Sequence, residues 1–299
     1  MAPRSFPITL VVALALIVGA AEARAQSGPA SANPPDQTPP VFDPDLQFVP
    51  AEPDFALATL PTTLRMPTGK FVFRLTHRFT RPIASGSTGE FFSDFFGLDS
   101  SAQIGFELRY GLRPGTQGTV YRTSDRTIQF LGQHELLAQT PDRPYTAQVF
   151  ATIEGRNNFG LSDEISIEGA DVFSGAIGGV LSHRFEGLAT VYAQPVMVFN
   201  ANVHPALAGD DAHAFVLGLG GRLQVGTSGT YVLAEFAPRL VGFDRGVHHF
   251  SVGVEKVHGA HVFQFNISNS LGSTLGQLAR GGTSNDDWFI GFNLTRKFY

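Results

Sequence analysis

The chain has 299 residues, of which 43% are hydrophobic, 11% aromatic and 16% charged, with 33 glycines, 27 phenylalanines and no cysteine. The absence of cysteine excludes a disulfide scaffold, a thiolate zinc site and a covalently attached haem. The net charge of −5 argues against nucleic acid as a partner, since nucleic-acid-binding surfaces are basic.

The chain begins with the parts of a secretory signal peptide. Arg4 precedes an apolar run over residues 8–21, and Ala23-Arg24-Ala25 then supplies small residues at the spacing of a cleavage site. The run of 14 residues falls short of the ~20 that a transmembrane helix needs. We therefore predict that residues 1–25 are a signal peptide, cleaved after Ala25.

Ten of the nineteen prolines lie in residues 26–67. Proline has no backbone N–H and fixes φ, so this stretch cannot join a helix or the interior of a sheet. It is predicted to be a disordered, extended arm in the periplasm, either a plain tether or a recognition segment.

From residue 70 onward, apolar and polar residues alternate. In the first segment Phe71, Phe73, Leu75 and Phe79 share one face and Arg74, Thr76 and Arg78 the other, which is typical of a β-strand with one apolar face. The same pattern predicts twelve strands: 70–79, 102–110, 116–124, 127–138, 145–154, 172–185, 188–199, 213–225, 230–241, 247–255, 259–267 and 288–299. The fold class is therefore all-β.

The length of these strands favours a membrane barrel over a soluble sandwich or a lipid-binding cup. Several strands have ten to fourteen residues, where about five or six is usual and about ten cross a membrane. No run of 18 apolar residues is present to form a membrane helix. Long connections alternate with short ones, as in barrels with long external loops and short periplasmic turns. Residues 68–299 are predicted to form a single antiparallel transmembrane β-barrel with both termini in the periplasm.

Several segments resemble a bacterial family catalogued as domain of unknown function 5777 and expected in the outer membrane. The segments that carry the resemblance are 60–63, 69–71, 77–79, 95–102, 107–112, 121–124 and 291–298. The resemblance implies a β-barrel in the bacterial outer membrane, and it implies no substrate or catalytic residue. The C-terminal strand ends in Phe298-Tyr299 and is similar to the signal by which the barrel assembly machinery recognises outer-membrane barrels.

Alternation predicts which charged side chains face the lumen. These are Arg74, Arg78, Glu107, Arg109 and Glu135. Rings of such charges set ion selectivity in pores, but inward Arg and Glu could equally pair with each other in a filled barrel.

The first long loop concentrates aromatic residues. Phe91, Phe92, Phe95, Phe96 and Asp99 could form a plug folded into the pore. Alternatively, the phenylalanines belong to an aromatic girdle at the membrane interface.

No metal, cofactor or catalytic site is predicted. His248-His249, His258 and His261 place at most one histidine of each pair on a given sheet face, which is too few for a zinc site. No nucleotide-binding or hydrolase motif is present in context, and no serine, histidine and orienting polar group can be assembled on one sheet face.

These observations predict a non-enzymatic outer-membrane barrel, either a narrow pore or a structural or ligand-binding barrel of unknown solute. A soluble periplasmic lipid-binding barrel and a lipid-modifying outer-membrane enzyme are the alternatives. The expected partners are the lipid bilayer, lipopolysaccharide and the assembly machinery.

Overall fold

The computed structural model describes residues 43–83, 85–86, 89–90, 101–156, 159, 173–185, 187–202 and 211–299. The strands are β1 Phe71–Phe79, β2 Ala102–Arg113, β3 Thr116–Thr123, β4 Ile128–Leu137, β5 Thr146–Gly155, β6 Phe173–Phe185, β7 Ala189–Phe199, β8 Ala214–Val225, β9 Thr230–Ala237, β10 Arg239–Val241, β11 His249–His258, β12 His261–Ser268 and β13 Phe289–Lys297. A 3₁₀ helix covers Pro44–Leu46 and an α-helix, α1, covers Leu275–Arg280.

The strands close into one antiparallel barrel. Apart from β10, each strand pairs with the strands before and after it in sequence, with β9 pairing with both β8 and β11. The barrel closes where β1 pairs with β13 through Leu75 and Leu294. The short β10 continues β9 past Pro238, a residue without an N–H to donate to the ladder, and it also pairs with β8. Counted with β9, it makes the twelve-stranded barrel that the alternation predicts.

The barrel is apolar outside and polar inside. On β2, Phe106 and Leu108 are 51% and 49% exposed, whereas Glu107 and Arg109, which alternate with them, are buried. On β1, Arg74, Thr76 and Arg78 are likewise buried. A soluble barrel would place these faces the other way round, and an apolar outer face is what contact with lipid requires.

The connections divide between two ends of the barrel. The end that holds the connections 79–102, 155–173, 199–214 and 268–289 is called the loop end here, and the opposite end the turn end. The turn end holds short turns such as 185–189 and 258–261. β1 begins at the turn end and β13 finishes there, so the barrel has its two termini at the same end, as predicted.

Two parts of the sequence-based description differ from the structure. Residues 51–66, predicted to belong to an extended periplasmic arm, lie inside the barrel and are almost entirely buried. The helix α1 was not predicted because six residues are too few for a helical periodicity to be recognised. No helix in the described ranges is long and apolar enough to span a membrane. The predicted signal peptide and residues 26–42 lie outside the described residues.

Candidate functional site

Residues 51–66, called the plug here, form a hairpin inside the barrel. The backbone N–H of Leu57 donates to the carbonyl of Leu60 (2.8 Å), and the N–H of Thr62 donates to that of Phe55 (2.9 Å). The chain therefore enters from the turn end, reverses at Leu57–Leu60 and returns to begin β1. Gly69 meets the end of β2 on the way out, where its N–H donates to the Gly111 carbonyl (2.9 Å).

Polar side chains of the barrel wall hold the plug by its backbone carbonyls. The Arg74 guanidinium donates to the carbonyls of Leu57 (2.8 Å) and Ala58 (3.0 Å). Arg222 donates to the Ala56 carbonyl at 2.8 Å. A row of glutamines continues this pattern along the returning strand: Gln194 donates to Pro61 (2.8 Å), Gln133 to Thr62 (2.8 Å) and Gln148 to Thr63 (2.6 Å). Side chains thus supply donors to an irregular backbone that has no strand partner.

A carboxylate of the barrel wall, Glu235 on β9, also binds the plug tip. Its Oε2 accepts the backbone N–H groups of Thr59 and Leu60, each at 3.0 Å. Its Oε1 lies 2.8 Å from Nε2 of His249, whose Nδ1 lies 2.8 Å from Oγ of Ser270. All three side chains are buried, so this chain of contacts connects the plug tip to the loop that follows β12.

The plug brings two carboxylates of its own into the lumen. Oε1 of Glu52 accepts hydrogen bonds from the N–H and hydroxyl of Thr63 (2.7 and 2.8 Å) and from the hydroxyl of Tyr192 (2.9 Å). Asp54 Oδ2 accepts from the Thr295 hydroxyl at 2.9 Å. These contacts tie the two arms of the hairpin to each other and to the wall.

Apolar plug residues fit against glycines of β8. A Cβ at Gly220 would lie 2.4 Å from Cδ1 of Leu57, and one at Gly218 would lie 2.9 Å from Cδ2 of Leu60. Gly218 and Gly220 therefore make room for the plug, because an inward side chain at either position would collide with it.

The plug is anchored at the turn end by Arg65. Its guanidinium contacts Asp45 and Glu135, each at 2.9 Å. Burial raises the pKa of the Asp45 carboxyl, and the neighbouring Arg65 opposes this shift.

A second segment fills the lumen from the loop end. Residues 269–282, called the loop insertion here, carry α1, whose Leu275, Leu278 and Ala279 are buried. The Gly276 N–H donates to Glu154 of β5 (3.2 Å), and the Arg239 guanidinium donates to the Ala279 carbonyl (2.7 Å). A cavity of about 30 Å³ remains between the loop insertion and the plug, which is space for about one water molecule.

The structure places the predicted lumen residues as follows. Arg74, Arg78, Glu107 and Arg109 are buried and point inward, with Arg109 donating twice to Glu107 (2.9 and 3.1 Å). Glu135 lies at the turn end beside Arg65. The aromatic loop that was predicted either to fold into the pore or to form an interfacial girdle lies outside the described residues. Its residues are Phe91, Phe92, Phe95, Phe96 and Asp99.

The plug was not predicted from the sequence. The available signal was five large apolar residues within residues 55–66, a density that a solvated tether does not need. The contact between Glu235, His249 and Ser270 was not predicted either, since alternation within a strand does not reveal which strands pair. No group of three or more His, Cys, Asp or Glu side chains that could hold a metal is found within the described residues.

Comparison with known proteins identifies a family. A family model described as a membrane-bound beta barrel domain (DUF5777) matches residues 54–298, which include most of the plug as well as every strand. No curated protein matches the chain.

Solved structures with similar folds were also found. An outer membrane channel from Pseudomonas putida F1 is 11% identical, with a TM-score of 0.46 and coverage of 78% of this chain and 97% of that one. Outer membrane phospholipase A from Escherichia coli is 11% identical, with a TM-score of 0.42 and coverage of 77% and 92%. OmpF from Salmonella typhi, in complex with daunomycin, is 8% identical, with a TM-score of 0.37 and coverage of 78% and 98%.

Proposed function

We propose a function from this premise: the chain belongs to the family of membrane-bound beta barrel domains (DUF5777). It is a passive channel of the bacterial outer membrane, and its own plug keeps it closed. The plug is the gate, and the polar wall behind it is the conduit. The chain acts by admitting a solute when the plug leaves, without chemical conversion of that solute.

The way in which the plug is held carries this proposal. Its backbone–backbone hydrogen bonds within the described residues are internal to residues 49–62, and the wall contacts it through side chains. Water can replace such side-chain contacts one by one, whereas a strand of the sheet could leave only by breaking a continuous series of backbone hydrogen bonds. The wall that it covers is polar and charged, which suits a hydrated conduit.

The outer-membrane location rests on the leader sequence and on the apolar outer face. We expect cleavage after Ala25, insertion by the barrel assembly machinery through β13, and contact with lipopolysaccharide at the loop end. N-terminal sequencing of the mature protein and outer-membrane fractionation with heat-modifiable migration test these expectations. A detergent-free soluble monomer would contradict them.

Conductance in planar bilayers tests the channel. The full-length chain is compared with the Glu52→Ala/Asp54→Ala variant, which removes the acceptors for Tyr192 and Thr295 and so loosens the plug. We expect little or no conductance from the parent and discrete openings from the variant.

Asp286→Ala/Asp287→Ala is the matched control, since it removes two carboxylates from the loop between α1 and β13, outside the plug. It should behave as the parent. A Glu52→Ala/Asp54→Ala protein that inserts and migrates as a folded barrel but never conducts would contradict the channel and leave a permanently filled barrel.

A second candidate function is acyl hydrolysis, which one observation favours. Ser270, His249 and Glu235 form a chain of two 2.8 Å contacts in the order of nucleophile, base and orienting acid. The three groups lie beneath the plug tip, so a substrate could reach them only with the plug displaced.

Labelling with a fluorophosphonate distinguishes this candidate. In the Glu52→Ala/Asp54→Ala background a hydrolase would be labelled, and Ser270→Ala would lose the label whereas Ser251→Ala, at another buried serine, would keep it. An unlabelled protein would leave the passive channel as the function.

A further inference from the structure

We propose that the plug tip occupies an oxyanion-binding site formed by Arg74 and Arg78, and that small carboxylates or phosphates are the solutes of the opened channel. The inference rests on the proposed function, because it requires that the plug can leave. It adds the chemical class of the solute and the residues that recognise it.

The donors at the plug tip converge on two neighbouring carbonyl oxygens. Arg74 donates to Leu57 (2.8 Å) and Ala58 (3.0 Å), and Arg78 donates to Ala58 (3.3 Å). Amide groups of the wall join them, with Asn293 donating to Ala58 (3.2 Å) and Gln264 to Leu57 (3.3 Å). A carboxylate or phosphate presents two oxygens to arginine in a similar way and with full negative charge, so it would bind these donors more strongly than neutral carbonyls do.

The two arginines have unused donor capacity. The Nε atoms of Arg74 and Arg78 are buried and have no hydrogen-bond partner within the described part of the chain. An unpaired buried donor is costly, particularly on a charged group. The plug therefore satisfies these arginines only in part, and an anion with more oxygen atoms would satisfy them better.

The charges around the site favour an anion. Three arginines, Arg74, Arg78 and Arg109, lie near two carboxylates, Glu107 and Glu235. Glu107 is held by Arg109 at 2.9 Å and is 3.9 Å from Arg74, while Glu235 is turned toward His249 and the plug amides. Within the described residues Arg78 forms no ion pair. Once the plug leaves, a net positive site remains at the position of its tip.

Cysteine labelling tests this competition in the full-length chain. The sequence contains no cysteine, so Thr59→Cys places one near-isosteric thiol at the plug tip. A membrane-impermeant maleimide is added to folded protein in detergent, with inorganic phosphate, acetate or chloride at matched ionic strength. If oxyanions take the place of the plug carbonyls, labelling should be faster in phosphate and acetate than in chloride.

The ratio of the labelling rates in phosphate and in chloride is the deciding readout. We expect Arg74→Gln/Arg78→Gln to abolish the difference, even if it raises labelling in every salt by loosening the plug. Arg122→Gln removes an arginine from the outward face of β3 and should leave the ratio unchanged. Equal rates in phosphate and chloride for the parent, or a ratio that persists in the double variant, would overturn the inference.

Conductance separates this inference from the proposed function. Reversal potentials of the Glu52→Ala/Asp54→Ala variant in a salt gradient should show a preference for anions that Arg74→Gln/Arg78→Gln removes. A conducting variant without anion preference or oxyanion-dependent labelling would refute the site and keep the channel. Oxyanion-dependent labelling without conductance would keep the site and refute the channel.

Discussion

The plug and the loop insertion fill the same lumen from opposite ends and are held in different ways. The loop insertion has structure of its own: α1 begins with a capping box between Thr274 and Gln277 and is capped at its C-terminus by Gly281, whose φ of 70° suits glycine. It also pairs backbone to backbone with its surroundings: Gly282 exchanges two hydrogen bonds with Val247, just before β11, and the Asn269 N–H donates to the Phe250 carbonyl of β11 (3.0 Å). The plug has its internal hairpin contacts but no helix, and among the described residues it makes no backbone hydrogen bond to a strand, so it depends on wall side chains.

The difference predicts which segment moves. The loop insertion is tethered at both ends, by β12 and β13, and buries a compact apolar face. The plug is continuous with only one strand, β1. A segment held at one end through separable side-chain contacts can leave the lumen without unfolding the barrel, whereas the loop insertion cannot leave without breaking its own helix cap and bridge.

The largest expected effect is produced by locking the plug. Thr63 Oγ1 and Ser182 Oγ are 2.6 Å apart, so Thr63→Cys/Ser182→Cys places two sulfurs where a disulfide between plug and β6 can form. In the Glu52→Ala/Asp54→Ala background, oxidation should abolish conductance and a reductant should restore it. Bilayer recordings before and after addition of reductant measure this.

The single variant Ser182→Cys, under the same oxidation, controls for chemical damage and should keep conducting. If the crosslinked barrel conducts as well as the reduced one, ions do not need plug movement. The comparison between the two segments would then have no bearing on gating.

A smaller effect is expected from narrowing the space that the plug occupies. Gly220→Val adds a side chain where even a Cβ would lie 2.4 Å from Leu57, so the tip should dock less well. In the Thr59→Cys chain, maleimide labelling should therefore be faster. Gly221→Val, in which the nearest contact is a carbonyl at 3.4 Å, is the matched control, and equal labelling of the two variants would show that the tip does not depend on this space.

Sequence alone predicted the wall and missed its contents, for a physical reason. The period of two in segments such as Ala102–Tyr110 reports which side chains meet lipid, and this pattern is local. The pairing of Arg74 with the Leu57 carbonyl joins residues 17 apart through a side chain and a backbone atom, and it leaves no period in the sequence. Pro53 and Pro61 have no N–H to donate to a ladder, and residues 51–66 form no strand of the barrel. A segment barred from the sheet can still lie inside it when the wall provides the donors.

The loop insertion should respond to mutation through stability and leave the gate unchanged. Leu278 is 3% exposed within α1, and truncation of a buried leucine costs about 2–5 kcal/mol. Leu278→Ala should lower the free energy of unfolding by about that amount, followed in urea by the fluorescence of Trp288, the only tryptophan. Labelling at Thr59→Cys should not change, and a large increase would show that the two segments move together.

The smallest effect is expected at the cap of α1, and it separates the two modes of attachment most directly. The Thr274 side chain accepts the N–H of Gln277 at 3.3 Å, and loss of such a cap costs about 0.5–2 kcal/mol. Thr274→Ala should therefore lower the urea midpoint slightly, while Thr274→Ser, which keeps the hydroxyl, should not. Thr283→Ala, at an exposed threonine beyond the helix, is the control.

Because the cap stabilises a segment that never leaves the lumen, none of these variants should alter conductance in the Glu52→Ala/Asp54→Ala background. Increased conductance in Thr274→Ala alone would mean that the loop insertion belongs to the gate. Loss of a helix cap can change the passage of ions only if the segment that carries the helix moves when the channel opens.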